Sequence, residues 1–158
     1  MIRNARIEDI KSIYSLLNRF AEKGLLLGRS LSSLYDHLRD FKVDIETPTA
    51  GSPPAEELAG VCALHICWEN LAEIRSLVVA DAYQGRGLGA GLVQACLAEA
   101  AALGISRVFT LTYQPAFFRR LGFEPIDKGQ LPHKVWSDCI NCSKFPDCNE
   151  EAMIREVG

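Results

Sequence analysis

The spacing of apolar positions along this chain changes period several times, and each change marks an element. From Glu8 to Lys23 the spacing is helical: Ile10, Ile13, Tyr14, Leu17, Phe20 and Ala21 share one face, and Gly24 follows as a stop. Ser30 or Ser32 can cap a second helix running to about Leu38. Ile2 to Arg6 and Phe41 to Glu46 read as strands, and Thr47 to Pro54 is a loop by composition. Leu58 to Trp68 and Leu71 to Ala80 read as strands joined tightly at Glu69-Asn70. A helix from Leu88 to Leu103 stops at Gly104. A strand (Arg107 to Thr112), a short helix (Pro115 to Arg120), a strand (Phe123 to Asp127) and a last strand near Ala152 to Val157 complete the chain. The order β-α-α-β-β-β-α-β-α-β, with the final strand added, predicts an α/β fold on a mixed sheet. It reads as one domain over 1–158 with a cysteine-containing segment at 131–150.

Length and composition narrow the class. A chain of 158 residues can bury a proper core, and its 48% hydrophobic and 23% charged residues are ordinary for a globular enzyme domain. The net charge of -3 gives no reason to expect nucleic acid or an anionic membrane as partner. No apolar run approaches a membrane span, and Met1-Ile2-Arg3-Asn4 does not open a secretory leader. A reducing cytoplasm is the expected compartment. Cys62, Cys67 and Cys96 lie in apolar segments, where a free thiol packs as a small hydrophobe.

The chemistry begins at Gln84-Gly85-Arg86-Gly87-Leu88-Gly89-Ala90, which comes after the apolar run Ile74 to Val79 and opens the long helix. Glycine lets the backbone turn sharply and bring its N–H groups close to a ligand. Unpaired donors and the dipole at a helix N-terminus favour a phosphate there. The physics gives a strand–loop–helix cradle for a pyrophosphate. Gly85, Gly87 and Ala90 also fit the looser dinucleotide pattern G-x-G-x-x-A, but the next strand ends in Thr112, Tyr113 and Gln114, without the ribose-binding carboxylate. A P-loop would need Gly-Lys-Ser/Thr, which this segment lacks. A plain glycine-rich turn is the remaining reading.

The order Gln-x-x-Gly-x-Gly-Ala at 84–90 resembles the acetyl-CoA signature of the GCN5-related N-acetyltransferases (GNAT). Leu121-Gly122-Phe123, closing the short helix, is a second landmark of that family, and the element order agrees up to about Asp127. The resemblance implies a mostly antiparallel central sheet flanked by helices, and acetyl-CoA as co-substrate. It implies cofactor contacts from Gln84, Gly85, Arg86, Gly87, Leu88, Gly89 and Ala90, with Phe117 and Phe118 beside them. It also implies backbone N–H contacts to the thioester and pantetheine from Leu77, Val78 and Val79. The runs 24–30, 72–79 and 108–112, and Leu131-Pro132-His133-Lys134, are similar to the acetyltransferase domain of N-acetylglutamate synthases in their short bacterial form. That likeness implies acetyl transfer to the α-amino group of an amino acid, L-glutamate, as the first step of arginine biosynthesis.

An ammonium acceptor must lose a proton before its nitrogen can attack a thioester. Glu73 is the best candidate base, since it sits on the strand leading into the cradle, and Glu69 in the adjoining turn is the runner-up. Strand alternation would put Glu73, Arg75, Leu77 and Val79 on one face. The bland alternative is a Glu73–Arg75 pair on an exposed strand. Many family members carry a tyrosine four residues before the Gly-Phe landmark, where this chain has Phe118, which cannot donate. Thr112 and Tyr113 are the nearest hydroxyls that could protonate the leaving thiolate.

An amino-acid acceptor carries carboxylate, which calls for cations; Arg29, Arg75 and Lys134 are the candidates. Long synthases carry a basic and hydroxyl pair just before the last strand, whereas this chain has Cys148, Asn149, Glu150 and Glu151. Cys139, Cys142 and Cys148, with His133 upstream, could form an irregular zinc site, but reduced thiols in a compact loop fit the spacing better, so no metal is expected. Expected partners are a small amino-acid substrate and, among proteins, only a second copy in a homodimer. Other readings are a GNAT enzyme acting on another small amine or a protein N-terminus, and a non-catalytic CoA-binding or metal-sensing module.

Overall fold

A computed structural model describes residues 1–26, 28–48, 55–132 and 150–158. Seven strands among these form one sheet: β1 (Ile2–Asn4), β2 (Phe41–Glu46), β3 (Glu57–Trp68), β4 (Leu71–Val79), β5 (Arg107–Thr112), β6 (Glu124–Pro125) and β7 (Glu151–Glu156). Their order is β1-β2-β3-β4-β5-β7-β6. Every neighbouring pair is antiparallel except β4 and β5. That parallel step is forced by the crossover through α3 (Leu88–Ala102). The helices α1 (Ile10–Glu22), α2 (Leu31–Asp36) and α4 (Pro115–Arg120) complete the described elements.

Two apolar layers sandwich the sheet. On one face α1 buries Ile10, Ile13, Leu16, Leu17 and Phe20 against Phe41, Val43, Val61, Ala63 and Val78. On the other, α3 buries Leu92, Val93, Cys96, Leu97 and Ala100 against Cys62, Leu64, Ala72 and Ile74. The helical reading of α1 holds with one exchange. Tyr14 is 38% exposed and Leu16 only 2%, so the buried stripe runs through Leu16 instead. An aromatic with a hydroxyl can lie at the margin of such a stripe, while Leu16 points inward. Ser30 is the cap of α2, its hydroxyl accepting from the Ser33 N–H.

The alternation expected along β4 does not survive. Ala72 and Ile74 face α3, which puts Glu73 and Arg75 on the α1/α2 side. Between Ala63/Arg75 and Val61/Val78 the register slips by one residue on β4. Ser76 takes φ +54°, the only positive φ of a non-glycine among the described residues. This bulge flips the rest of the strand: Leu77 packs with the α3 layer and Val78 with the α1 layer. Glu73 and Arg75 therefore share a face, but Leu77 and Val79 are not on it.

Candidate active site

The parallel ladder between β4 and β5 covers only Ala72–Ile74 against Val108–Thr110. Past that point β5 stays with β7 as far as Thr112, and β4 stays with β3 as far as Val79. The two central strands thus part at the bulge, and the β5-facing edge of Ser76 to Val79 has no ladder partner. Thr110 holds the point of divergence: its buried hydroxyl donates to the Ile74 carbonyl at 3.0 Å. An opening whose wall is strand backbone can offer N–H groups to an acyl oxygen or an amide-bearing chain.

Beyond Val79 the chain turns through Asp81–Tyr83 into the glycine segment and α3. Gly87 is the N-cap of α3 with φ +80°, a conformation that strains any residue with a Cβ. It supplies no side chain to cap the first turn, so the N–H groups of Leu88, Gly89 and Ala90 keep their direction outward. Gly89 serves closeness instead: a Cβ there would stand 3.4 Å from the Phe117 ring and 3.6 Å from Val79. Gln84 fastens the loop, its amide donating to the Val79 carbonyl at 3.0 Å. The Arg86 guanidinium lies 5.5 Å from the Tyr83 ring centre, and the Tyr83 hydroxyl donates to Glu57 at 2.7 Å. Phe117 lies at the margin of the α3 layer, whereas Phe118 is buried within it, edge-on to Phe123.

Across the opening, on the α1/α2 side, polar side chains converge. Glu73 is only 8% exposed, and the Arg75 Nε–H donates to its carboxylate at 2.6 Å. Arg29 rests on the Phe41 ring at 5.1 Å and donates to the Ser33 hydroxyl through Nε and Nη2. Burial pushes the Arg29 guanidinium below its ordinary value, the Arg75 charge adds to that push, and Asp40 and Glu73 oppose it. Opposite Glu73 in the β3–β4 ladder stands His65, whose Nδ1 lies 2.8 Å from Asp40.

The sequence-derived candidates fall into place unevenly. Glu73 and Arg75 meet directly, Arg29 lies over Phe41 on the same face of the sheet, and Leu77 to Ala90 forms the neighbouring wall. Thr112 is buried, and its hydroxyl accepts from the Gln114 N–H at 2.8 Å, which leaves its own hydrogen to donate. Tyr113 follows at the mouth and is half-buried. Lys134, His133, Cys139, Cys142 and Cys148 lie outside the described residues, as do 49–54 of the loop. Four contributors were not foreseen: Ser33, Asp40, His65 and Thr110. Thr110 had a signal, a hydroxyl flanked by the apolar Phe109 and Leu111. Asp40 and His65 depend on a contact between distant segments, and Ser33 on one with Arg29 four residues before it.

The geometry agrees with what known proteins show. The acetyltransferase (GNAT) family pattern matches residues 12–123. The chain is 36% identical over 156 residues to the uncharacterized N-acetyltransferase CT2212 of Chlorobaculum tepidum, covering 99% of this chain and 96% of that one. It is 33% identical over 138 residues to the amino-acid acetyltransferase of Mycobacterium tuberculosis, covering 87% of this chain and 76% of that one. The structure superposes on N-acetylglutamate synthase of Neisseria gonorrhoeae, solved with coenzyme A and N-acetyl-glutamate. The TM-score there is 0.84 at 27% identity, over 100% of this chain and 35% of the synthase. The divergent central strands, the glycine-opened helix and these relatives agree: the chain belongs to the acetyltransferase (GNAT) family, as an acetyl-CoA-dependent N-acetyltransferase.

Proposed function

We propose that the acceptor is the α-amino group of a free amino acid, with L-glutamate as the substrate and the first step of arginine biosynthesis as the role. The observation that carries this reading is two arginines on one face of the sheet: Arg75 donates to the buried Glu73, and Arg29 lies over Phe41, which is aligned with Arg75 through Ala63 in the ladder. A site for polyamines would gather carboxylates. This one gathers guanidinium groups, which fit the carboxylates of an amino acid in bidentate fashion. The amino-acid acetyltransferase and N-acetylglutamate synthase relatives support the same class.

In this reading Gly85 to Ala90 hold the pyrophosphate through backbone N–H groups, with Gln84 fastening the loop and Phe117 flanking it. Glu73 takes a proton from the substrate ammonium, and the freed nitrogen attacks the thioester carbon. The oxyanion meets backbone N–H groups of Leu77 to Val79. The C–S bond then breaks, Thr112 or Tyr113 supplies the proton to the thiolate, and the second proton shed by the acylated nitrogen restores that hydroxyl. Arg29, Arg75 and Lys134 hold the carboxylates. The test is free CoA release from acetyl-CoA with each common amino acid in turn. Glutamate should give the highest kcat/KM. A neutral or basic amino acid that outruns it would overturn the choice of acceptor and leave acetyl transfer standing.

A further inference from the structure

The polar cluster holds one pair of residues that this scheme leaves idle. His65 faces Glu73 across an antiparallel pair, where facing Cβ atoms lie about 4.5–5.5 Å apart. Its Nδ1 is 2.8 Å from the Asp40 carboxylate. A carboxylate without a proton can only accept, so Nδ1 carries the hydrogen and the neutral ring keeps its lone pair on Nε2. The other charged or titratable neighbours come from each packed element. His37, at the end of α2, lies 5.5 Å away ring to ring, with its own Nδ1–H donating to the Ser33 carbonyl. Arg75 stands beside Glu73 on β4, and Arg29, which precedes α2 and lies over Phe41, feels the charge of both Asp40 and Glu73. The His65 and Asp40 side chains keep 22% and 24% of their exposure, enough for exchange with water.

Resting on the acetyl-transfer reading, we propose that His65, held by Asp40, is the second station for the proton that the acceptor amine releases. A protonated Glu73 would give up the ionic part of its 2.6 Å contact with the Arg75 guanidinium. An imidazolium at His65 would instead stand against the Asp40 carboxylate. The proton leaves the ammonium for the Glu73 oxygen, and the freed nitrogen then forms its bond to the acetyl carbon. It moves on to His65 Nε2, which restores the Glu73–Arg75 pair, and from there to water. The C–S bond breaks in the same turnover, and no oxidant or reductant is involved. His65 acts through Glu73 and is a positioning residue in that sense.

The experiment compares His65→Gln, Asp40→Asn and Glu73→Gln by steady-state kinetics across pH, with thermal melting as a folding control. Both His65→Gln and Asp40→Asn should lower kcat ~10- to 100-fold, the low end of what positioned acid–base groups contribute. KM for acetyl-CoA should hold, and the acid limb of the kcat/KM profile should move to lower pH. The double variant His65→Gln/Asp40→Asn should be no worse than either single one. Wild-type kcat and an unmoved acid limb in His65→Gln, beside a crippled Glu73→Gln, would overturn the relay while the base at Glu73 stands. A silent Glu73→Gln beside a crippled His65→Gln would also overturn it, making His65 the base itself. Should His65→Gln melt early, Asp40→Asn carries the same readings.

Discussion

The two halves of the proposed site are made by opposite means. The cofactor half is one continuous stretch, Ser76 to Ala90, working through its backbone: an unpartnered strand edge, a left-handed Gly87 and an open helix terminus. The acceptor half is side chains only, drawn from the segment before α2, the turn before β2, and strands β3 and β4. A backbone cradle needs particular residues at fixed spacing, so it marks the sequence. A side-chain assembly needs only that distant positions meet, and any of several residue types will serve. The first half can be shared throughout a family, while the second is free to set the acceptor.

The largest expected effect tests whether the halves are separable. Glu73→Gln keeps the size of the side chain and removes the proton acceptor. We expect kcat to fall ~10²–10⁴-fold with acetyl-CoA affinity unchanged. Turnover assays paired with calorimetry would check both arms. Loss of acetyl-CoA binding in step with kcat would show that Glu73 shapes the cofactor wall too, and the division would fail.

The next effect belongs to the cofactor half. Gly87→Val finds open space, since a Cβ there meets nothing within 4 Å, but φ +80° strains it. The left-handed conformation costs roughly 1–2 kcal/mol for an ordinary residue, so acetyl-CoA should bind about tenfold weaker or worse. Gly89→Ala asks only that the Phe117 ring, 3.4 Å from the new methyl, shift slightly, and should cost far less. Equal losses in the two variants would mean that bulk, rather than backbone conformation, controls the cradle.

The same contrast explains what could be read from the sequence. The core of every strand and helix was legible, and β2, β5 and α4 have the expected bounds, because each has a clean period or a clear stop. The two register slips between β3 and β4 were not. A simple two-residue hairpin at Glu69-Asn70 would set Ile66 opposite Glu73. A slip between Ile66 and Trp68 puts His65 there instead. The second slip, at Ser76, sends Leu77 to the α3 layer, and serine gives no compositional sign of a left-handed residue as glycine would. Asp40 and His65 then meet across 25 positions of sequence, which no local pattern encodes. Glu73 and Arg75 could be singled out as candidates because they lie beside the glycine segment on one strand.

A smaller effect is expected in the acceptor half. Arg29 lies flat on Phe41 and reaches Ser33 through two of its nitrogens. Lysine has neither the plane nor the fork. Arg29→Lys should raise KM for the amino acid ~10-fold, about the strength of one charge-assisted contact, and leave KM for acetyl-CoA alone. A change in the acetyl-CoA constant instead would move Arg29 to the other half.

The smallest effect is the sharpest check on the backbone argument. Arg86 sits inside the cradle and carries the charge most obviously suited to a pyrophosphate. Yet the residue is exposed, and its guanidinium lies 5.5 Å from the Tyr83 ring centre. An exposed guanidinium paired with a phosphate contributes about 0.2–1 kcal/mol, so Arg86→Ala should weaken acetyl-CoA binding only ~1.5- to 5-fold. Much of that loss should disappear as salt is raised, because exposed charges are screened. The open N–H groups of the first α3 turn are unaffected by the substitution and should keep the remaining affinity at any ionic strength. Calorimetric titration of both proteins at low and high salt gives the comparison directly. A loss of a hundredfold that persists at high salt would mean that a side chain, and not the main chain, grips the phosphates.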